Sequence, residues 1–220
     1  GVAIGTAANP DLKWETTRQF NLGLDLQLFN LFDVSANYFI KNTNDLLFSP
    51  DVSALIGSYG PGGYPPVINA GNVSNKGIEF EFAYATDPKN KVGMNVNFNF
   101  TYIDNEVKSV PQGVDFLPGA SFGVGGNTAT RFEVGFPIGY FIGYQTDGIF
   151  QSQEEIDAHD PNGTLQPGAA PGDIRFIDQN GDGVLDDKDE VYQGSALPSY
   201  EYSLNLSADY KGIDLNVFFQ

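Results

Sequence analysis

The feature that most constrains the fold is a regular alternation of apolar and polar residues across positions 19–41. Every second residue from Phe20 to Leu28 is apolar, and the alternation resumes from Val34 to Ile40 after the four residues 29–32. A period of two places the apolar side chains on one face of a β-strand and the polar side chains on the other. Two such arms joined by a short turn predict an antiparallel β-hairpin.

The same unit recurs twice along the chain, at residues 78–102 and 202–220. Two long stretches without clean alternation, residues 42–75 and 104–199, connect the three hairpins. Since every hairpin turn is short, strand parity places both long connections at the opposite end of the strands. We therefore expect about six long strands, with short turns at one end and long loops at the other.

The connection 104–199 is expected to form one elaborate outer loop. Within it only the run 138–144 resembles a strand, and its irregular pattern predicts at most a small hairpin. Ser152 and Glu155 have the spacing of a capping box, which predicts a short helix reaching to about His159.

Alternation alone fits both a membrane barrel and a soluble β-sandwich, because each places one strand face in apolar surroundings. Three features favour an all-β fold of the antiparallel transmembrane β-barrel type. Most arms run for about nine residues or more, the length of a tilted membrane strand. The long loops share one end, as in outer-membrane barrels, and the polar face is rich in Asn, Ser and Gln with few lysines. A secreted, Ca²⁺-stabilised β-sandwich that binds glycans or proteins is the alternative, and a passive porin also fits the pattern.

Charge and composition exclude several classes of function. The formal net charge of −17 argues against nucleic acid as a partner, because phosphate backbones bind clusters of Lys and Arg. The chain has no cysteine and one histidine, His159, so it offers neither thiol chemistry nor a catalytic triad. Glu79 and Glu81 share a strand face without a second catalytic group. We expect these carboxylates to line a barrel interior, and we do not expect an enzyme.

An acidic stretch, residues 178–189, follows the spacing of a Ca²⁺-binding loop. Oxygen-bearing residues fall at loop positions 1, 3, 5, 9 and 12, and Gly183 stands at position 6, where a tight turn is needed. The predicted ligands are Asp178, Asn180, Asp182, the backbone carbonyl of Val184, Asp186 through a water, and Asp189. Because the flanking residues do not look helical, we expect a structural Ca²⁺ in a loop without an EF-hand around it.

Four tyrosines are the candidate substrate contacts. Tyr59, Tyr64, Tyr140 and Tyr144 lie in or near the predicted outer loops. An aromatic face there stacks on sugars or packs against a protein partner. The alternative is that these rings pack within the loops themselves.

An ordered set of short motifs resembles the SusC/RagA family of TonB-dependent outer-membrane transporters. Residues 9–15 and 72–79 precede amphipathic strands, as in that family's late barrel hairpins. Further motifs resemble the family's long outer loop and a later strand in order and spacing: residues 135–140, 143–150, 171–176, 178–183 and 212–219. The ordered set covers most of the chain and is specific, whereas no single motif is.

This resemblance implies a large barrel in the bacterial outer membrane, in contact with the lipid bilayer and driven from the inner membrane through TonB. It also implies a SusD-like surface lipoprotein as a cap, and nutrient uptake by import of oligosaccharides or peptides. The chain, residues 1–220, then corresponds to the C-terminal part of the barrel. We expect the plug domain, and with it the contact to the TonB complex, to lie in a missing N-terminal part.

Overall fold

The computed structural model describes residues 8–49, 66–86, 90–122 and 127–220. Within these ranges the regular structure is almost entirely β, with one short helix. The chain divides into two compact units. The first contains the described residues up to Leu117 together with residues 132–138 and 197–220, and the second contains residues 118–131 and 139–196.

Sixteen strands and one helix follow one another along the described residues. The strands are β1 (Thr16–Leu28), β2 (Phe32–Asn44), β3 (Leu47–Phe48), β4 (Ile68–Asn69), β5 (Asn72–Ala85), β6 (Gly93–Ser109), β7 (Phe116–Pro118), β8 (Ser121–Phe122), β9 (Asn127–Thr128), β10 (Thr130–Glu133), β11 (Tyr140–Tyr144), β12 (Thr146–Ile149), β13 (Ile174–Phe176), β14 (Glu190–Gly194), β15 (Tyr200–Tyr210) and β16 (Ile213–Phe219). The helix α1 (Gln153–His159) lies between β12 and β13.

The first unit is built on a six-stranded antiparallel sheet with the strand order β1-β2-β5-β6-β15-β16. The three predicted hairpins are therefore confirmed, and they lie side by side in sequence order. Residue Phe32, which was predicted in the first turn, is instead the first residue of β2, opposite Leu28. Among the described residues, no helix has the length and apolar character needed to cross a bilayer.

The strands of the middle hairpin run further than the alternation predicts. β5 begins at Asn72 rather than Ile78, and β6 ends at Ser109 rather than Tyr102. The extra residues pair across the two strands, with a register shift between Asn72 and Val73. Lys76 and Asp104 form a 3.0 Å salt bridge where apolar residues would continue the pattern. The predicted loops 42–75 and 104–199 are correspondingly shorter, because strand pairing continues beyond the apolar band.

The cross-strand register keeps the alternating apolar side chains of the six strands on one face, and Phe39 is an exception on the other. One row of directly opposed apolar residues consists of Leu26, Val34, Phe82, Phe98, Leu204 and Phe219. The neighbouring row on the other face consists of Asp25, Ser35, Glu81, Asn99 and Ser203. A slip of one residue at any strand would exchange the two faces, so the alternation itself fixes the register.

The first and third hairpins close through tight turns that need a left-handed backbone. Phe29 and Asn30 have φ of 57° and 55°, and Lys211 and Gly212 have φ of 51° and 84°. Positive φ at both central residues is the mark of a type I′ turn, whose twist matches that of the paired strands.

A small hydrophobic core lies beside the loop end of the sheet. Its buried members are Ala70, Val73, Val107, Leu117 and Phe132. The backbone N–H of Val107 donates to Phe136 (2.9 Å), and the N–H of Gly135 donates to Val107 (3.0 Å). These contacts attach residues 132–138 to the end of β6.

The second unit is more structured than the single outer loop that we expected. β11 pairs with β14 and, through Thr130 and Arg131, with β10, while β12 pairs with β13. The predicted helix is confirmed as α1: the hydroxyl of Ser152 accepts the backbone N–H of Glu155 at 3.4 Å. The strands of this unit have two to five residues, too few for a period of two to stand out in the sequence.

Candidate functional site

The apolar face of the six-stranded sheet is exposed, although its side chains are large. Leu22 is 64% exposed, Leu24 57% and Ile213 73%. Burial of such a side chain is worth about 1.5–3 kcal/mol, so a face of this kind needs an apolar environment. On β1 the apolar positions run from Phe20 to Leu28, which matches the roughly 9–11 residues of a tilted membrane strand. A β-sandwich would bury such a face against a second sheet, whereas these side chains are exposed.

Aromatic side chains cluster toward both ends of the apolar face. Phe32 and Tyr84 approach to 5.1 Å between ring centroids near the turn end, and Tyr102 and Tyr200 approach to 5.0 Å near the loop end. Aromatic girdles of this kind mark the two membrane interfaces in outer-membrane barrels.

The opposite face satisfies its polar groups across the strands. Ser35 donates to Asp25 (2.6 Å), and Gln27 donates to Asp33 (3.0 Å). On the neighbouring strands, Asn99 donates to Ser203 (3.2 Å) and Asn95 donates to Ser207 (3.3 Å). The predicted interior carboxylates Glu79 and Glu81 lie on this face, opposite Thr101 and Asn99. Such a face suits the water-filled side of a barrel wall.

The acidic stretch 178–189 folds into a series of turns held by its own carboxylates. Asp178 accepts the backbone N–H of Gly181 (2.6 Å) and of Gly183 (2.7 Å) through its two oxygens. Asp182 accepts from Val184, and the amide oxygen of Asn180 accepts from Asp182. The carboxylates thus replace strand pairing as partners of the backbone, as Asp and Asn do in turns.

Asp189 links the beginning of this stretch to its end through two hydrogen bonds from the backbone. Its side chain is fully buried, and its oxygens accept the backbone N–H of Gln179 and of Asp186, both at 2.8 Å. These bonds, led by the one from Asp186, lower the pKa of the Asp189 carboxyl below its ordinary value of 3.8. Within the described part of the chain, no group of three or more His, Cys, Asp or Glu side chains is arranged to hold a metal ion. The six ligands assigned to Ca²⁺ therefore stay a prediction.

The predicted substrate tyrosines divide into two pairs. Tyr59 and Tyr64 lie outside the described residues. Tyr140 is buried, with 3% of its surface exposed, and packs on Tyr192 at 5.5 Å between centroids. Tyr144 meets the edge of Phe176, and burial, together with nearby carboxylates such as Glu190, raises the pKa of its hydroxyl. In this conformation Tyr140 and Tyr144 pack within the loops.

Two residues outside the predicted sites, Asp160 and Gln166, bond several backbone groups of the second unit. Asp160, just after α1, accepts the backbone N–H groups of Thr164 (2.9 Å) and Gln166 (2.8 Å). The side-chain amide of Gln166 in turn donates to the carbonyl of Ile174 and accepts from the N–H of Phe176. An Asp-Pro-Asn-Gly sequence at 160–163 signals the first turn. No comparable signal marks Gln166.

A family model described as TonB dependent receptor-like, beta-barrel, matches residues 1–219. TonB-dependent receptor P26 of Formosa agariphila is 32% identical over 225 residues, covering 100% of this chain and 21% of that protein. TonB-dependent receptor SusC of Bacteroides thetaiotaomicron is 25% identical over 215 residues, covering 96% of this chain and 19% of that protein. The chain thus spans about a fifth of the length of these relatives.

Solved structures share the fold. The structure titled as the RagAB peptide transporter superposes with a TM-score of 0.71 at 24% identity, over 99% of this chain and 22% of that one. The RagAB peptide importer in the closed-closed state gives a TM-score of 0.70 at 23% identity, over 99% and 22% of the two chains. The chain belongs to the TonB-dependent receptor β-barrel family, is of the SusC/RagA type and is a protein of the bacterial outer membrane.

Proposed function

We propose that the protein containing this chain imports solutes across the outer membrane with energy delivered through TonB. In this proposal the chain supplies part of the barrel wall and its outer loops. The observation that carries it is the two-faced sheet, in which six strands share one exposed apolar face and one hydrogen-bonded polar face. Lipid meets the first face, and the aqueous path for the solute meets the second.

For cargo and partner, we propose oligosaccharides or peptides and a SusD-like surface lipoprotein as cap. One relative is named SusC, and structural neighbours are titled as a RagAB peptide transporter or importer. The polar face of this chain adds support, because its Asn, Ser and Gln side chains suit uncharged polar cargo better than ions. This role is transport, and it requires no covalent chemistry from the chain.

Uptake by the native bacterium tests this function. Cells with and without the gene are given labelled oligosaccharides or labelled peptides, before and after the TonB system is disabled. We expect the uptake of one cargo class to disappear in both cases and to return on complementation. A lipoprotein should co-purify with the full-length protein from the outer membrane. Unchanged uptake in the deletion strain would contradict the proposal.

For the acidic stretch we propose a structural Ca²⁺ held by Asp178, Asn180, Asp182, Val184, Asp186 and Asp189. The support is the spacing of these residues and the bond from Gly183 to Asp178, which forms the tight turn that the spacing needs. The ion would cross-link a stretch whose carboxylates otherwise repel one another.

A further inference from the structure

The polar face of the sheet contains a depression of about 380 Å³ on strands β1, β2 and β5. Six residues line it: Gln19, Asn21, Asn37, Phe39, Lys41 and Glu79. The register brings them together, because Phe39 lies opposite Asn21 on one side and Gly77 on the other, with Gln19 opposite Lys41. A volume in this range is that of an ordinary small-ligand site.

Phe39 is the one aromatic member of this set, and it occupies a position where the alternation calls for a polar residue. Its ring lies across Gly77: a Cβ at position 77 would come within 2.7 Å of the ring carbon Cζ and 2.9 Å of Cε1. The missing side chain of Gly77 therefore lets the ring rest against the strand. Phe39 is half-buried on the polar face of the sheet.

A second glycine gives the same kind of space to the amide of Asn37, which lies two residues before Phe39 on β2. The side chain of Asn37 extends over Gly23, where an added Cβ would meet its Oδ1 at 2.3 Å. On β1, Gln19 donates to the amide oxygen of Asn21 at 3.0 Å, and Asn21 lies opposite Phe39. Donors and acceptors thus surround an aromatic platform at fixed positions.

The charged members of the depression carry opposite signs. Among the described residues, neither the ammonium of Lys41 nor the carboxylate of Glu79 forms a salt bridge within 4.0 Å. Their charges cancel over the depression as a whole, although the chain carries a net charge of −17. A hydroxyl group both donates and accepts, so a neutral ligand with many hydroxyl groups can bond the ammonium and the carboxylate alike.

We propose that the depression around Phe39 is a saccharide-binding subsite on the interior wall, with a neutral sugar ring as its ligand. The C–H face of a pyranose would lie on the electron-rich face of Phe39. Its hydroxyls, which both donate and accept, would bond the amides of Asn21 and Asn37, the ammonium of Lys41 and the carboxylate of Glu79. This inference rests on the proposed import function and selects oligosaccharides over peptides as the cargo that meets this wall.

The test is calorimetric binding to the full-length protein in detergent. The probes are hexasaccharides of glucose, mannose and galactose, compared with a tryptic digest of casein. We expect at least one hexasaccharide to bind, and Phe39→Leu to weaken that binding about three- to tenfold, since it keeps an apolar side chain over Gly77 but removes the ring. Phe39→Trp should retain binding. Asn95→Ala, on the same face but outside the depression, is the matched control and should bind as the wild type does.

Three results would overturn the subsite. They are equal binding by Phe39→Leu and the wild type, binding of peptides alone, and no saccharide binding by a protein whose uptake activity in cells is intact. The last result separates this inference from the import function, since uptake lost on gene deletion supports import whatever the wall binds. Heat-dependent migration in gel electrophoresis checks that each variant forms a folded barrel.

Discussion

Leu24 and Asp25 are neighbours in the chain but face different surroundings. Leu24 is 57% exposed on the apolar face, while Asp25 accepts a hydrogen bond from Ser35 on the polar face. The same contrast repeats along every long strand, so the effect of a substitution depends first on the parity of its position.

An arginine at position 24 tests this contrast directly. Leu24→Arg should reduce the unfolding free energy by about 2–4 kcal/mol if the residue faces the middle of the bilayer. Gln27→Arg lies on the polar face of the same strand, keeps a donor for Asp33, and should change stability little. Denaturant unfolding of the full-length protein in lipid vesicles measures both variants. Equal effects of the two substitutions would contradict the assignment of the faces.

Phe39 shows how a residue can carry information that periodicity misses. The alternation predicts β1, β2 and their register, but it treats an aromatic at a polar position as an irregularity. The structure places that ring over Gly77, a residue 38 positions later in the chain. An aromatic at a polar position opposite a glycine is the sequence signal for this arrangement. It becomes readable only after the pairing of β2 with β5 is known.

At the level of elements, different interactions determine where long strands and short strands form. The sheet strands follow their own alternation, whereas β13 depends on tertiary bonds such as those from the side chain of Gln166 to Ile174 and Phe176. The sequence therefore predicts the hairpins, the helix α1 and a strand within 138–144, where β11 lies, but not the other short strands of the second unit. It also missed the extension of β5 to Asn72, since beyond the apolar band neither face needs to be apolar.

The turn between β15 and β16 depends on a glycine. Gly212 has φ of 84°, and open space surrounds the position of its missing Cβ. Gly212→Ala should therefore act through the backbone alone and reduce the unfolding free energy by about 1–2 kcal/mol. Gly143→Ala is the control, because that position has no positive φ and its Cβ would make an ordinary 3.6 Å contact. Urea unfolding compares the two, and equal stability losses would contradict the turn assignment.

Strong acid should open the stretch 178–189. The pKa of Asp189 is lowered in the folded state, so its contribution to stability is complete above the ordinary value of 3.8. That contribution disappears as the pH falls below 3.8 through the lowered pKa. Hydrogen exchange at the amides of Gln179 and Asp186, corrected for intrinsic rates, should therefore accelerate only in strong acid. In Asp189→Asn, exchange should be faster at neutral pH, and a variant as protected as the wild type would count against this role.

Calcium binding by the same stretch has a separate test. Added Ca²⁺ should slow exchange of the amides of Gly181 and Gly183 in the full-length protein, and a chelator should reverse the effect. Asp178→Ala removes a predicted ligand and should abolish the response. Identical exchange with and without Ca²⁺ in the wild type would refute the proposed site while leaving the turn structure as described.

At the level of the whole molecule, the central claim is that lipid lies on one face of the six-stranded sheet and water on the other. This chain contains no cysteine, so single cysteines can be introduced from position 20 to 28 and spin-labelled in a full-length protein from which any other cysteines have been removed, in lipid vesicles. Accessibility to oxygen, which concentrates in lipid, and to a water-soluble nickel complex should alternate with a period of two. Even positions should favour oxygen and odd positions nickel. Uniform exposure to nickel along β1, or the reverse parity, would contradict the account.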